Sequence, residues 1–133
     1  MFPFHLPSLP TNHPPSKILS QKTDPSTLLN CYYFNCRSIV NKLCELRDFI
    51  SVENPDILML SETWIKDTTL TADELSINSK YHVYLCNRSD PKNKKGGGVA
   101  ILIKSNIPSK KVLSTKNNSF EVIIIDILKP QKV

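Results

Sequence analysis

A short apolar run over residues 57–60 (Ile-Leu-Met-Leu) constrains the fold more than any other segment, because the carboxylate of Glu62 follows it almost at once. Pro55 lies just before the run, and this short length after a helix breaker favours a buried strand. A carboxylate that is placed where a buried strand surfaces is held rigidly and is poorly hydrated, as a divalent-cation ligand must be. Glu62 is therefore the first candidate for a metal-binding residue.

The segments on either side predict a strand–helix–strand unit. An aromatic and apolar run over residues 28–34 predicts a strand that ends at Asn35. Ser38 offers a helix N-cap, and apolar residues then recur at helical spacing until Pro55 stops the helix. The repeating residues are Ile39, Leu43, Leu46 and Ile50. Residues 56–61 form the second predicted strand, which we expect to be buried on both faces.

The connection between these two strands predicts where their polar ends lie. Strands joined through a single helix are parallel, and a short connection makes them neighbours in the sheet. Parallel neighbours share a carboxyl-terminal edge, which is where open α/β sheets bind ligands. We therefore expect Asn35 and Glu62 to lie at one edge of the sheet. Taken singly, an Asn after a strand usually makes a turn, and a Glu there is usually a surface residue.

The remainder of the chain predicts a smaller set of strands. Residues 81–86 and 99–103 alternate well enough for two strands, and residues 120–128 predict a last one. A polar loop after Trp64 has room for one helical turn within residues 71–75. The basic segment 87–98 predicts a hairpin loop that ends in three glycines. Close packing and free backbone angles explain these glycines better than a phosphate cradle does, since no Lys-Ser or Lys-Thr follows them.

Composition indicates an intracellular globular chain. The 133 residues are 40% hydrophobic and 22% charged, which is typical of one soluble domain. The net charge of +5 favours a polyanionic partner without proving one. Six of the ten prolines fall in residues 1–27, which predicts an irregular leader and breaks any signal peptide. No apolar stretch approaches the ~20 residues that span a bilayer.

The cysteines and histidines suggest no catalytic or zinc site. The four cysteines have no C-x-x-C spacing and no neighbouring histidines, which favours reduced core thiols over disulfides or zinc. They are Cys31, Cys36, Cys44 and Cys86. Of the three histidines, His82 lies within a predicted strand and the other two lie in the leader. None has the setting of a catalytic base.

Several motifs, taken in order, carry a resemblance to a known family. They are Asn35 with the following Cys-Arg-Ser-Ile-Val-Asn-Lys-Leu, then Pro-Asp-Ile at 55–57, Ser-Glu-Thr-Trp at 61–64, and Gly-Gly-Gly-Val-Ala-Ile at 96–101. Together they resemble the N-terminal half of the endonuclease domain of non-LTR retrotransposons. That domain belongs to the endonuclease/exonuclease/phosphatase superfamily, which includes apurinic endonucleases and DNase I. The resemblance implies an α/β fold that is part of a four-layer sandwich, mainly one mixed sheet with an outer helix.

The resemblance also implies an activity and a set of site residues. The family consists of magnesium-dependent phosphodiesterases, and its retrotransposon members nick DNA in the nucleus. By resemblance, Glu62 ligates Mg²⁺, for which Mn²⁺ can substitute, while Asn35 helps position the metal and the scissile phosphate. Arg88 matches an Arg-x-Asp pattern, but Pro91 stands where a further arginine is usual. The remaining candidates for contacts to the DNA backbone are Lys92, Lys94 and Lys95.

The resemblance ends before the second half of the family's catalytic site. A water-activating histidine, a Gly-Asp-Phe-Asn segment and a Ser-Asp-His segment are characteristic of that half, and none is found here. We therefore expect residues 28–133 to be a truncated, inactive half-domain whose uncovered sheet face favours self-association. Two alternatives stay open: a non-catalytic nucleic-acid-binding or interaction remnant, and a phosphatase acting on phospholipids or nucleotides.

Overall fold

Six strands and two helices make up the part of the chain that the computed structural model describes, namely residues 28–66, 69–88, 96–116 and 120–128. The elements are β1 Cys31–Asn35, α1 Leu43–Glu53, β2 Ile57–Ser61, α2 Ala72–Leu75, β3 Tyr81–Cys86, β4 Val99–Lys104, β5 Ser109–Lys116 and β6 Glu121–Ile127. The predicted leader and the loop residues Lys92, Lys94 and Lys95 lie outside the described residues.

The first four strands form a mixed sheet in the order β1-β2-β4-β3. β1 and β2 are parallel neighbours, as predicted from the single helix that joins them. β4 runs antiparallel to both β2 and β3, which confirms the predicted hairpin between the third and fourth strands. β5 and β6 form a separate antiparallel hairpin. The predicted architecture, mainly one mixed sheet with a helix on its outer face, is confirmed.

The predicted start of α1 is wrong. The helix begins at Leu43, after Lys42, and not after Ser38. Ser38 has a φ of 77°, which is outside the helical region, and its N–H donates to the carbonyl of Glu62 at 2.8 Å. The segment after β1 therefore continues alongside the end of β2 before the helix starts. The predicted end is confirmed, because Asn54 closes the helix in the left-handed conformation with a φ of 48°.

The prediction that β2 is buried on both faces is also wrong. Leu58 and Leu60 are buried, whereas Met59 between them is 37% exposed. The buried side of β2 packs against α1, where Phe49 makes edge-to-face contacts with two aromatic rings of β1. The opposite side of the sheet leaves Met59 and Tyr33 exposed at the β1–β2 end. The run of four apolar residues is therefore a strand with one buried face and one partly exposed face.

The β5–β6 hairpin contacts the other end of that same sheet face. The Tyr84 hydroxyl lies 2.7 Å from Ser109 Oγ, and the Cys86 thiol donates to the carbonyl of Thr115 at 3.3 Å. β5 was not predicted, because its Ser-Lys-Lys-Val-Leu-Ser-Thr-Lys sequence has no clear alternation. The hairpin therefore brings β6 next to β3 and β4.

The cysteines are all free thiols, as predicted, but only two of the four lie in the core. Cys36 and Cys86 are buried, while Cys31 and Cys44 are exposed. Burial raises the pKa of Cys36 to about 12, so this thiol stays protonated at neutral pH.

Leu58 and Met59 provide a matched pair for testing the two faces of β2. Leu58→Ala should lower the free energy of unfolding by about 2–5 kcal/mol, because it opens a cavity in a fully buried position. Met59→Ala should cost about 1 kcal/mol or less, since its site is partly solvated. Denaturant titration of both variants against the parent chain measures the difference. Equal costs would contradict the assignment of Met59 to the open face.

Candidate functional site

Asn35 and Glu62 lie at the same edge of the sheet, as their positions after two parallel strands predict. Asn35 is the last residue of β1, and it pairs in register with Ser61, the last residue of β2. The pairing continues one step further, because the N–H of Cys36 donates to the carbonyl of Ser61 at 2.8 Å. Glu62 follows Ser61 directly. The two candidate residues are therefore neighbours across the β1–β2 pair.

Asn35 is exposed on the open face of the sheet, at the edge where a ligand has access. Its face also carries Tyr33, whose hydroxyl lies 2.6 Å from Ser61 Oγ across the parallel pair. The loop that follows Asn35 is fixed by Lys42, whose ammonium donates to the carbonyl of Cys36 at 2.6 Å. Asn35 is thus an accessible side chain on a well-supported backbone.

The backbone around Glu62 is unusual and is held by the glycine segment before β4. Glu62 has a φ of 52° and Trp64 a φ of 54°, values that are uncommon for residues with a side chain. Such conformations cost on the order of 1–3 kcal/mol each and persist only where surrounding contacts enforce them. Here the N–H of Thr63 donates to Gly98 at 3.2 Å, and that of Trp64 donates to Gly97 at 3.0 Å.

The Glu62 carboxylate is anchored through one oxygen. Its Oε2 accepts hydrogen bonds from the indole Nε1–H of Trp64 at 2.8 Å and from the backbone N–H of Gly97 at 3.1 Å. No residue in the described part of the chain donates to Oε1. The carboxylate is therefore fixed in orientation while one oxygen stays available to a cation.

Hydrogen bonding favours the ionised form of this carboxylate and lowers its pKa. The Trp64 indole, then the Gly97 amide, and to a smaller extent the positive charge of Arg88, hold the pKa of Glu62 below its usual value, against partial desolvation, which raises it. A charged carboxylate at neutral pH is the form that binds a divalent cation.

Free backbone angles explain all three glycines, and close packing explains Gly97 and Gly98, as predicted. Gly96, Gly97 and Gly98 have φ angles of 93°, 75° and 87°. A Cβ on Gly98 would lie 2.5 Å from the Oγ1 of Thr63, which is fully buried. A Cβ on Gly97 would lie 2.5 Å from Cζ of Arg88. Side chains at these positions would push the glycine segment away from Glu62.

Arg88, which the resemblance suggested as a DNA contact, is engaged within the protein. Its Nε donates to Oε1 of Glu121 at 2.6 Å, and its Nη2 lies 3.4 Å from Oε2 of the same carboxylate. The Glu121 side chain is only 6% exposed, whereas that of Arg88 is 34% exposed. Contact with DNA by Arg88, or by the loop lysines outside the described residues, stays a prediction.

Three residues near Glu62 were not identified as part of the site from the sequence. Trp64 is half-buried, and its indole N–H donates to Glu62. Gly97 and Glu121 carried no sequence signal for contacts across the fold. The only available sign was the proximity of Trp64 to Glu62 in the Ser-Glu-Thr-Trp segment.

The described residues complete neither a multi-ligand metal cage nor a catalytic base at this edge. No group of three or more His, Cys, Asp or Glu side chains that could hold a metal occurs among them. His82 pairs with Ile103, close to the end of β3 that lies away from Glu62. No helix in the described ranges is long and apolar enough to cross a membrane.

Comparison with known families agrees with this architecture. Residues 32–130 match the Endonuclease/Exonuclease/phosphatase family, and this region is more than half of the 133 residues. The chain belongs to this family. No curated protein matches the sequence significantly.

Solved structures with a similar fold include an AP endonuclease, a 3′ phosphatase and TDP2. An AP endonuclease from Archaeoglobus fulgidus is 23% identical with a TM-score of 0.51, and the match covers 66% of this chain and 30% of that protein. The 3′ phosphatase NExo from Neisseria, solved with a product DNA hairpin, is 18% identical with a TM-score of 0.58 and coverage of 75% and 38%. TDP2 from C. elegans is 21% identical with a TM-score of 0.50 and coverage of 74% and 32%.

These matches define the fold of this Endonuclease/Exonuclease/phosphatase family member. At such identities the likeness concerns the fold and not the substrate. The chain spans about a third of the length of the solved structures that it matches.

The Trp64 indole can be tested as the main cause of the low pKa of Glu62. Trp64→Phe keeps an aromatic ring but removes the donor, so the pKa of Glu62 should rise towards its ordinary value. A folded-state pKa below the unfolded value stabilises the fold at pH values above the unfolded pKa, and this stabilisation is lost as the pH falls through the folded-state pKa. Because the variant has a higher folded-state pKa, it should lose the stabilisation at a higher pH. Carboxyl NMR titration measures the shift, and an unchanged pKa would remove Trp64 from this role.

Proposed function

We propose that this chain carries the metal-binding edge of a divalent-metal-dependent phosphodiesterase that acts on DNA, of the type found in non-LTR retrotransposon endonucleases. The single observation that carries the proposal is the Glu62 carboxylate, which is ionised and anchored through Oε2 at the carboxyl-terminal edge of two parallel strands. The family membership and the DNA-bound relative support a phosphate ester as substrate.

The donor chemistry of this edge fits magnesium. Mg²⁺ is commonly bound through one or two carboxylates, several waters and the phosphate of its substrate, without a full protein cage. Glu62 supplies one carboxylate oxygen with no hydrogen-bond donor among the described residues, and Asn35 supplies an amide on the neighbouring strand. The absence of a three-residue cluster in the described ranges is therefore compatible with this cation.

Each residue then has a defined task. Glu62 would hold the cation, and the exposed amide of Asn35 would orient the scissile phosphate beside it. A bound Mg²⁺ would supply charge stabilisation for the leaving oxygen. The basic loop with Lys92, Lys94 and Lys95 would contact the DNA backbone, where lysines provide affinity without sequence preference.

The described residues provide no general base for the attacking water at this edge. His82 is the histidine of the described ranges, and it lies towards the other end of the sheet. We therefore expect the chain alone to bind the cation much better than it hydrolyses DNA. Metal binding is for this reason the primary test of the proposal, and DNA nicking the secondary one.

Metal binding can be followed through Trp64, the only tryptophan of the chain. Mn²⁺ bound at Glu62 should quench its fluorescence, because the indole donates directly to that carboxylate. Glu62→Gln keeps an acceptor for the indole but removes the charge, and it should weaken Mn²⁺ binding by at least about tenfold, since changes even in the outer shell of metal sites cost ~10–100-fold.

The matched control for this titration is Asp48→Asn, which removes an exposed carboxylate from α1. It should leave the Mn²⁺ affinity unchanged. If Glu62→Gln binds Mn²⁺ as tightly as the parent chain, the cation site does not involve Glu62 and the proposal is wrong.

A supercoiled-plasmid assay tests the reaction class. Any nicking by the parent chain should require Mg²⁺ or Mn²⁺ and should disappear in Glu62→Ala and fall strongly in Asn35→Ala, with the exposed Asn41→Ala as the matched control. Salt-sensitive DNA binding without cleavage at any Mg²⁺ concentration would instead favour the non-catalytic remnant. Equal nicking by parent and Glu62→Ala would exclude Glu62 from the mechanism.

A further inference from the structure

We propose that Arg88 and Glu121 are a positioning pair, which fixes Gly97 and thereby sets the orientation of the Glu62 carboxylate. The positioning itself is independent of the proposed function, and only its consequence for cation affinity rests on that function. Neither residue is needed as a metal ligand or as a contact to substrate in this role. Three sets of contacts connect the pair to the carboxylate: those within the pair, those between Arg88 and Gly97, and those between Gly97 and Glu62.

The pair itself is a two-point contact between distant parts of the chain. Arg88 follows β3 and Glu121 begins β6, and both oxygens of Glu121 face the guanidinium, at 2.6 Å and 3.4 Å. Two-point contacts of this kind fix orientation as well as position, which a lysine could not do. Because Glu121 is 6% exposed, its charge is shielded from water and its main partner is this arginine. Glu121 therefore anchors Arg88 to the β5–β6 hairpin.

Arg88 rests directly on the backbone of Gly97. A Cβ added to Gly97 would overlap the Nε of Arg88 and would lie 2.5 Å from its Cζ and 2.8 Å from its Cδ. A side chain at Gly97 would force Arg88 to shift, and the guanidinium in turn restricts movement of Gly97 in that direction. An ideal Cβ on the preceding residue, Gly96, would lie 3.8 Å from Nη1 of Arg88.

Gly97 makes the two hydrogen bonds that matter for Glu62. Its N–H donates to Glu62 Oε2 at 3.1 Å, and its carbonyl accepts from the N–H of Trp64 at 3.0 Å. The first bond fixes the carboxylate of Glu62. The second holds the backbone of Trp64 in its left-handed conformation. A displacement of Gly97 would loosen both bonds together. Arg88 and Glu121 thus act on Glu62 through one intermediate residue.

Amide hydrogen exchange tests the positioning without any metal. The Gly97 amide and the single tryptophan indole should each exchange about tenfold faster in Arg88→Gln, in Glu121→Gln and in the double variant. This is the change expected when local opening becomes easier by roughly the net free energy of one hydrogen bond. The double variant should be no worse than the worse single variant, because both remove the same interaction. Glu121→Asp keeps the charge but shortens the side chain, and it should show an intermediate rate.

The matched control is Lys104→Gln, which breaks the 3.3 Å ion pair with Asp56 at the other end of β4. This variant should leave the exchange rates of the Gly97 amide and the Trp64 indole unchanged. Wild-type exchange of the Gly97 amide in either Arg88→Gln or Glu121→Gln would overturn the proposal. So would additive effects in the double variant, since they would show that the two residues act separately.

Cation and DNA binding provide readouts that separate this inference from the proposed function. Both single variants should weaken Mn²⁺ binding by about tenfold, at the lower end of outer-shell effects. If the parent chain binds no Mn²⁺ through Glu62, the proposed function fails while the exchange result still decides the positioning. If Arg88→Gln lowers the salt slope of DNA binding by about one while the Gly97 amide exchanges as in the parent chain, Arg88 contacts phosphate instead and the positioning proposal is overturned.

Discussion

The parallel pairing of β1 with β2 is the constraint on which the candidate site depends. Its register places Asn35 beside Ser61, so the next residue, Glu62, leaves the sheet next to the end of β1. A slip of one residue would move every side chain of β1 to the opposite face, which would bury Asn35 and expose Tyr32 and Phe34, the two rings packed on the core. Burial of Leu58 and Leu60 against α1 opposes such a slip. The core on one face of the sheet thus determines where the polar groups emerge at its edge.

The edge also requires backbone conformations that the surrounding contacts must stabilise. Ser38 and Glu62 both have positive φ angles, and the N–H of the first donates to the carbonyl of the second at 2.8 Å. The glycine segment holds the other side through hydrogen bonds to Thr63 and Trp64. Left-handed non-glycine residues cluster where function constrains the backbone. The contacts on both sides of Glu62 therefore maintain a backbone conformation that is uncommon for a residue with a side chain.

The outline of the fold and the site could be predicted, because both depend on local patterns. The apolar run of β2 and the polar residues that end both parallel strands are visible in the sequence. The start of α1 could not be predicted, since Ser38 is suited to a helix N-cap but its N–H bonds to Glu62 across the sheet. The contacts of Gly97 and Glu121 also depend on residues far away in sequence, which no local pattern reports. Prediction from the sequence therefore located the two candidate residues at one edge of the sheet but not the contacts that orient them.

Electrostatics gives a reason for pairing Arg88 with an acidic residue instead of leaving it alone. The Arg88 guanidinium adds to the effect of the Trp64 indole and the Gly97 amide in lowering the pKa of Glu62, yet an unpaired positive charge would also repel a cation approaching the same carboxylate. Glu121 offsets this charge from a nearly buried position while preserving the packing of Arg88 on Gly97. The pair can therefore supply rigidity at the edge with little net charge. A neutral side chain of similar size would avoid the repulsion, but it would lack the two-point contact that holds the β5–β6 hairpin to the glycine segment.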